Sequence, residues 1–102
     1  MRNKTYKLKK LEKNRFSILT NDMEHCYICG SYPVAWHHIV NGTANRKKSD
    51  KYGLIVPLCP IHHDMIHTVQ AEDIRLKKAA QRKFEMIYSH EKWMKEFHKN
   101  YL

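Results

Sequence analysis

The stretch LIVPLCPIHHDMIH, Leu54 to His67, carries most of what can be read of this chain's architecture. Its first five residues are apolar and β-prone, and they read as a short strand. Pro60 then stands where the first turn of a helix has no use for an N–H, so IHHDMIH reads as a helix that opens straight after the strand. On that helix His63 and His67 are four residues apart and fall within about 40° of each other, whereas His62 lies about 100° round from His63. One short helix can therefore offer His62 to one metal and His63 with His67 to another. The same i, i+4 spacing holds metal in zinc proteases, but HHDMIH lacks the glutamate of HExxH, which argues against that chemistry.

Upstream, Pro33 to Val40 (PVAWHHIV) is a second apolar, β-prone segment, which predicts a strand paired with Leu54 to Leu58. NGTANRKKSDKYG between them reads as a polar loop carrying Arg46, Lys47, Lys48 and Lys51. His37 and His38 end the first strand, where strict alternation would send them to opposite faces, so both serve one site only if the strand ends or twists there. Should His37 join His63 and His67, three protein ligands would hold a metal with open positions, the layout of a catalytic site. His38 would then be free to act as a general base, since an ordinary imidazole titrates near neutral pH.

Cys26, Cys29, Cys59 and His62 form CxxC, a gap of 29 residues, then CxxH. Two close ligand pairs joined by a loop let a small chain surround one tetrahedral Zn²⁺, and the metal's affinity then adds to folding free energy. Three cysteines cannot all pair within one chain, and no signal peptide implies an oxidising compartment, so metal binding is favoured over disulfides. His25, beside Cys26, is a competing ligand by position.

The 102 residues predict one domain, and a chain this short gains from a structural metal. Residues 1–20 carry seven basic side chains and one acid, Glu12, and read as a basic N-terminal arm; Leu8 and Leu11 lie at near-helical spacing, while Arg15 to Thr20 (RFSILT) looks more like a short strand. Residues 21–70 hold all three Cys, all three Gly, all three Pro and six of the eight His, and form the chemical core. Residues 71–102 contain no Gly or Pro, with Ile74, Ala80, Phe84, Ile87 and Tyr88 at helical spacing and Ser89 placed to cap a segment carrying Trp93, Met94 and Phe97. Two helices, or one bent helix, should pack there on the core. No apolar run reaches the roughly 20 residues that cross a bilayer, so neither a membrane protein nor a secreted one is expected. A net charge of +9 suggests a polyanionic partner, with nucleic acid first, and fits a solvated basic surface equally well.

Through CYICG, AWHHIV and VPLCPIHHDMIH, over residues 26 to 67, the sequence resembles the HNH endonucleases of the His-Me finger class, in particular small phage-type members with a zinc knuckle. The resemblance implies an α+β fold: a ββα-metal core with a CxxC/CxxH knuckle and flanking C-terminal helices. It gives His37, His63 and His67 the catalytic divalent metal, His38 the general base, and Cys26, Cys29, Cys59 and His62 the structural zinc. The middle Asn of the family often lies five residues before the third knuckle Cys, where this chain has Leu54; Asn41, Asn45 or Asp50 is available to replace it.

The implied activity is metal-dependent hydrolysis of DNA phosphodiester bonds, by nicking or double-strand cleavage, leaving 5′-phosphate and 3′-hydroxyl ends. Mg²⁺ or Mn²⁺ is the expected catalytic metal, although imidazole ligands also suit Zn²⁺ or Ni²⁺. Arg46, Lys47, Lys48 and Lys51, with Arg75, Lys77, Lys78, Arg82 and Lys83, would contact double-stranded or branched DNA through its backbone, giving low sequence specificity. A homodimer or a phage protein partner is compatible with this reading, as is a cytoplasmic location, the host's if the chain is phage-encoded. Two other readings compete. One is a non-catalytic zinc-stabilised nucleic-acid-binding module; the other is an adaptor that docks a partner through Trp93, Phe97 and Tyr101.

Overall fold

The computed structural model describes residues 16–40 and 42–102. Among them are a two-stranded antiparallel sheet and four helices, a small mixed α+β arrangement. In chain order these are β1 (Ala35–His38), α1 (Thr43–Tyr52), β2 (Ile55–Leu58), α2 (Pro60–Thr68), α3 (Gln70–Ile87) and α4 (His90–Phe97). Residues 1–15 of the basic arm, including Leu8, Leu11 and Arg15, lie outside the described residues, as does Asn41.

The two strands pair as expected but shorter, with Trp36 opposite Pro57, His37 opposite Val56 and His38 opposite Ile55. Beyond the last pair the chains stay bonded where the Ile39 amide donates to the Leu54 carbonyl at 2.9 Å. Val56, Leu58, Ile39 and Leu54 are fully buried, so the sheet forms one wall of the core. In this setting every residue of β2 is enclosed, which explains its continuous apolar run.

The connection between the strands is not a loop. Residues Thr43–Tyr52 form α1, a ten-residue helix between Gly42 and Gly53. Its hold on the body is unusual for a helix, because Ser49 and Tyr52 are its buried residues and its other described side chains are polar or charged. Ser49 Oγ donates to the Val40 carbonyl at 2.9 Å, and the Ser49 carbonyl accepts from Leu54 N at 2.8 Å, stitching the helix to both strand ends. Gly53 ends it in the left-handed region at φ 71°, and a Cβ there would lie 2.5 Å from the Phe16 ring, so both the backbone and the close approach require glycine. Phe16 to Thr20 likewise differ from expectation: they form no strand, and the segment is held by the Ile18 amide bonding the Gly53 carbonyl. An edge with one such bond cannot propagate a ladder.

Pro60 opens α2 as its first residue, and Val69 alone separates α2 from α3. Residues 71–102 supply two helices rather than one bent helix, because Ser89 turns extended and its hydroxyl accepts from Lys92 N at 3.0 Å. Phe84 and Trp93, both fully buried, stack edge to face at 5.3 Å between ring centres, and Trp93 meets Phe97 at 4.5 Å. Tyr52 of α1 joins this group through Phe84 at 5.2 Å. Ile87 and Tyr88, expected in the core, are about half exposed, and Leu76 and Gln81 are buried in their region instead. Gln81 is satisfied in full by Glu85, Asn100 and the Tyr101 amide, which ties the C-terminal residues to α3. Among the described residues no helix is long and apolar enough to cross a membrane.

Candidate metal centres

The CxxC turn and the start of α2 meet around one point. The ligand atoms of Cys26, Cys29, Cys59 and His62 all lie within 4.8 Å of one another, close enough to hold a metal ion, and the donor set is compatible with zinc. The separations test the fit. Zinc–sulfur bonds of roughly 2.3 Å and zinc–nitrogen bonds of roughly 2.05 Å at tetrahedral angles place sulfurs about 3.8 Å apart and sulfur and nitrogen about 3.6 Å apart. Cys29 and Cys59 sulfurs are 3.8 Å apart, and His62 Nδ1 stands 3.6 Å from the Cys26 sulfur and 3.3 Å from that of Cys59. Three of the six edges of a coordination tetrahedron are thus close to their expected lengths, and the other three are within 4.8 Å.

Local backbone builds this arrangement. Cys26 N donates to Ser31 O and Gly30 N to Cys26 O, each at 2.8 Å, closing the CxxC turn, while Tyr27 N reaches Pro57 O on β2. Cys59 stands at the N-cap of α2, where the nearby His62 amide first and the Ser31 hydroxyl next bring its thiol down to about 6. Burial alone would push the Cys26 thiol up, but the amides of Cys59, Cys29 and Ile28 hold it below its ordinary value. Thiols so placed are readily deprotonated for metal. His25 is turned away, pairing with Asp22 at 2.8 Å, and so is not one of the cluster.

The second centre lies one residue further along α2. His37, His63 and His67 also bring their ligand nitrogens within 4.8 Å of one another. His63 Nε2 and His67 Nε2 are 3.2 Å apart, and nitrogens roughly 2.1 Å from one ion at 90–109° are separated by about 3.0–3.4 Å. His37 supplies the strongest sign. Its side chain is buried, and its Nε2 has no hydrogen-bond partner among the described residues, a costly condition that a metal bond would relieve. Burial first, and the neighbouring His63 and His67 next, push its pKa down to about 4, so it is neutral, as a ligand must be. Burial also lowers His63.

His37, His38, His63, His67, Trp36 and Arg46 line one open cleft. The tension over His37 and His38 is resolved because β1 ends at His38, so consecutive histidines reach the same cleft. His38 Nε2 lies 3.1 Å from Asp50 Oδ1. Asp50 and Arg46 are four apart on α1 and share the face turned to the cleft, a relation invisible while this segment is read as a loop. Of the other basic residues of α1, Lys48 turns to α4, donating to the Glu96 carbonyl at 2.6 Å, and Lys51 lies over the Tyr52 ring; neither they nor Lys47 line the cleft. Lys77 and Arg75 of α3 are engaged with Asp73 and Glu72. The Trp36 indole, a cleft wall, donates to the Met23 carbonyl at 3.0 Å.

The arrangement thus pairs a sulfur-rich closed site with a three-imidazole site that opens to solvent beside a carboxylate-held histidine and a guanidinium. Comparison with protein-family models, curated proteins and solved structures finds no match.

Proposed function

We propose that this protein is a metal-dependent endonuclease of the HNH type, hydrolysing DNA phosphodiester bonds with little sequence preference. The observation that carries this reading is the convergence of His37, His63 and His67 in the same cleft as His38 and Arg46. The hairpin followed by α2, and the knuckle beside it, support the resemblance drawn from the sequence.

His37, His63 and His67 would hold a divalent ion such as Mg²⁺ or Mn²⁺, which would supply Lewis-acid stabilisation of charge on the phosphate. His38 does the proton chemistry. With Nε2–H donated to Asp50, its Nδ1 carries the lone pair and accepts the proton of the attacking water. Asp50 fixes that tautomer and stabilises the imidazolium as it forms, and so takes the orienting role left open by the missing middle Asn. Arg46 neutralises a phosphate at the cleft wall. Zinc in the knuckle serves the fold.

The test is conversion of supercoiled plasmid to nicked or linear forms by wild type and His38→Ala, with Mg²⁺, with Mn²⁺ and with chelator, each protein checked for folding by circular dichroism. Wild type should cleave only with metal, and His38→Ala should lose about 10²–10⁴ in rate. Equal rates would remove His38 from the mechanism. DNA binding with no cleavage under either metal would favour the non-catalytic module.

A further inference from the structure

We infer that the Cys/His knuckle is a positioning element for the second metal centre: closing it on zinc sets the affinity of the His37, His63 and His67 site, through the first turn of α2. This rests on the reading of that trio as a metal centre.

The argument begins with how weakly α2 is otherwise held. It has nine residues, below the roughly 12–15 at which an isolated helix becomes even marginal, so it depends on its surroundings. Its buried residue is Ile66, in the second half. The first half buries no apolar anchor, since Pro60 is exposed and Ile61 is 71% exposed. What ties this turn to the body is its direct continuation from β2 through Cys59, buried at its N-cap, together with His62 within it, the two being spaced for the knuckle ion.

The two histidines of α2 are consequently fixed by different means. His67 follows Ile66 and is placed by core packing. His63 adjoins His62 in the half that carries the knuckle ligands and no buried apolar side chain, and its amide bonds the Cys59 carbonyl at 2.8 Å. His37 is on β1, set by its pairing with Val56. With the knuckle open, His37 and His67 keep their places and His63 loses its own, so a three-ligand site falls towards two ligands. Closing the knuckle restores the third. Coupling between sites is reciprocal, so an ion on the second centre must equally tighten zinc in the first.

Cobalt(II) separates the sites by absorption, because thiolate ligands give charge-transfer bands that imidazoles do not. The full-length chain, loaded with one equivalent of Zn²⁺, is titrated with Co²⁺, and His62→Ala, His62→Cys and His37→Ala are treated in the same way. His62→Ala should weaken the imidazole site by about tenfold or more, within the usual range of site-to-site coupling, and His62→Cys, which keeps four ligands, should return it to near the wild-type value. Amide exchange on the wild type with and without Zn²⁺ provides a measurement independent of any variant's folding. Zinc should protect the amides of residues 61–64 far more than those of α4. Unchanged cobalt affinity in His62→Ala, or protection spread evenly over α2 and α4, would overturn the inference, the latter by making zinc a general stabiliser. A cobalt site that is missing in wild type, or that survives His37→Ala, would instead remove the metal-centre reading beneath it.

Discussion

Helices α2 and α4 have nearly the same length, nine residues and eight, and are held by opposite means. Helix α4 is capped by the Ser89 hydroxyl, closed by His98 in the left-handed region, and buries Trp93 and Phe97 against α3. Helix α2 has a metal ligand at its cap position, buries Ile66, and spends His62, His63 and His67 on two clusters. A helix fixed by packing can do little else with its inner face, because that face is occupied. A helix that buries one residue keeps its histidines available to a cleft, and on the inference above it would depend on an ion for its position. Both candidate metal clusters therefore draw on the helix that buries one residue rather than two.

The sharpest way to break this comparison is to truncate one apolar residue on each helix. Trp93 is fully buried, meets Phe84 and Phe97, and donates its indole N–H to the Lys99 carbonyl at 2.7 Å. Trp93→Ala should cost about 3–5 kcal/mol. Ile61→Ala on α2, where the side chain is 71% exposed, should change stability by less than about 0.5 kcal/mol. Urea unfolding of the zinc-loaded proteins reads both. Comparable losses would mean that the first turn of α2 packs like α4, and the contrast would fail.

Acid offers the next largest effect. In the zinc-loaded protein without a second metal, His37 titrates at about 4, while in the unfolded chain its ordinary value is 6.5. Above pH 6.5 both states leave it neutral and it contributes no pH dependence. Between 6.5 and 4 the unfolded chain takes up the proton first, so stability falls as pH falls. A gap of that size corresponds to about 3 kcal/mol across the window. His37→Leu, which fills the space without titrating, should flatten this part of the profile in urea midpoints measured from pH 7 to pH 4. A profile as steep in the variant as in wild type would assign the acid sensitivity to other groups.

What the sequence made legible follows the same division. The candidate clusters could be read because metal spacing is local and rigid: CxxC, CxxH and HxxxH each constrain a few adjacent residues, and the structure brings Cys26, Cys29, Cys59 and His62, and His37, His63 and His67, within 4.8 Å of one another in each group. The C-terminal helices were legible from the spacing of Ala80, Phe84, Trp93 and Phe97. Helix α1 was not, since it has no apolar stripe; a serine hydroxyl and one tyrosine anchor it, and neither produces a periodic pattern. With α1 went the place of Asp50 beside His38, which depends on helical i, i+4 geometry with Arg46. Burial of Gln81 was equally hidden, because its three partners come from as far away as Asn100 and Tyr101.

The smallest effect tests how far packing alone secures α4. Ser89 accepts the Lys92 amide at 3.0 Å, one of the orphan donors at the helix start, and Glu91 in the first turn complements the helix dipole. Ser89→Ala should therefore cost about 1 kcal/mol, and Ser89→Asp, which restores the acceptor, should recover most of it. Urea midpoints of the three proteins at one pH measure this. A loss of about 1 kcal/mol recovered by aspartate would show that α4 draws on local capping as well as on its aromatic face. A loss too small to resolve would place its hold in Trp93 and Phe97, and would sharpen the contrast between a helix secured by rings and one that carries candidate metal ligands.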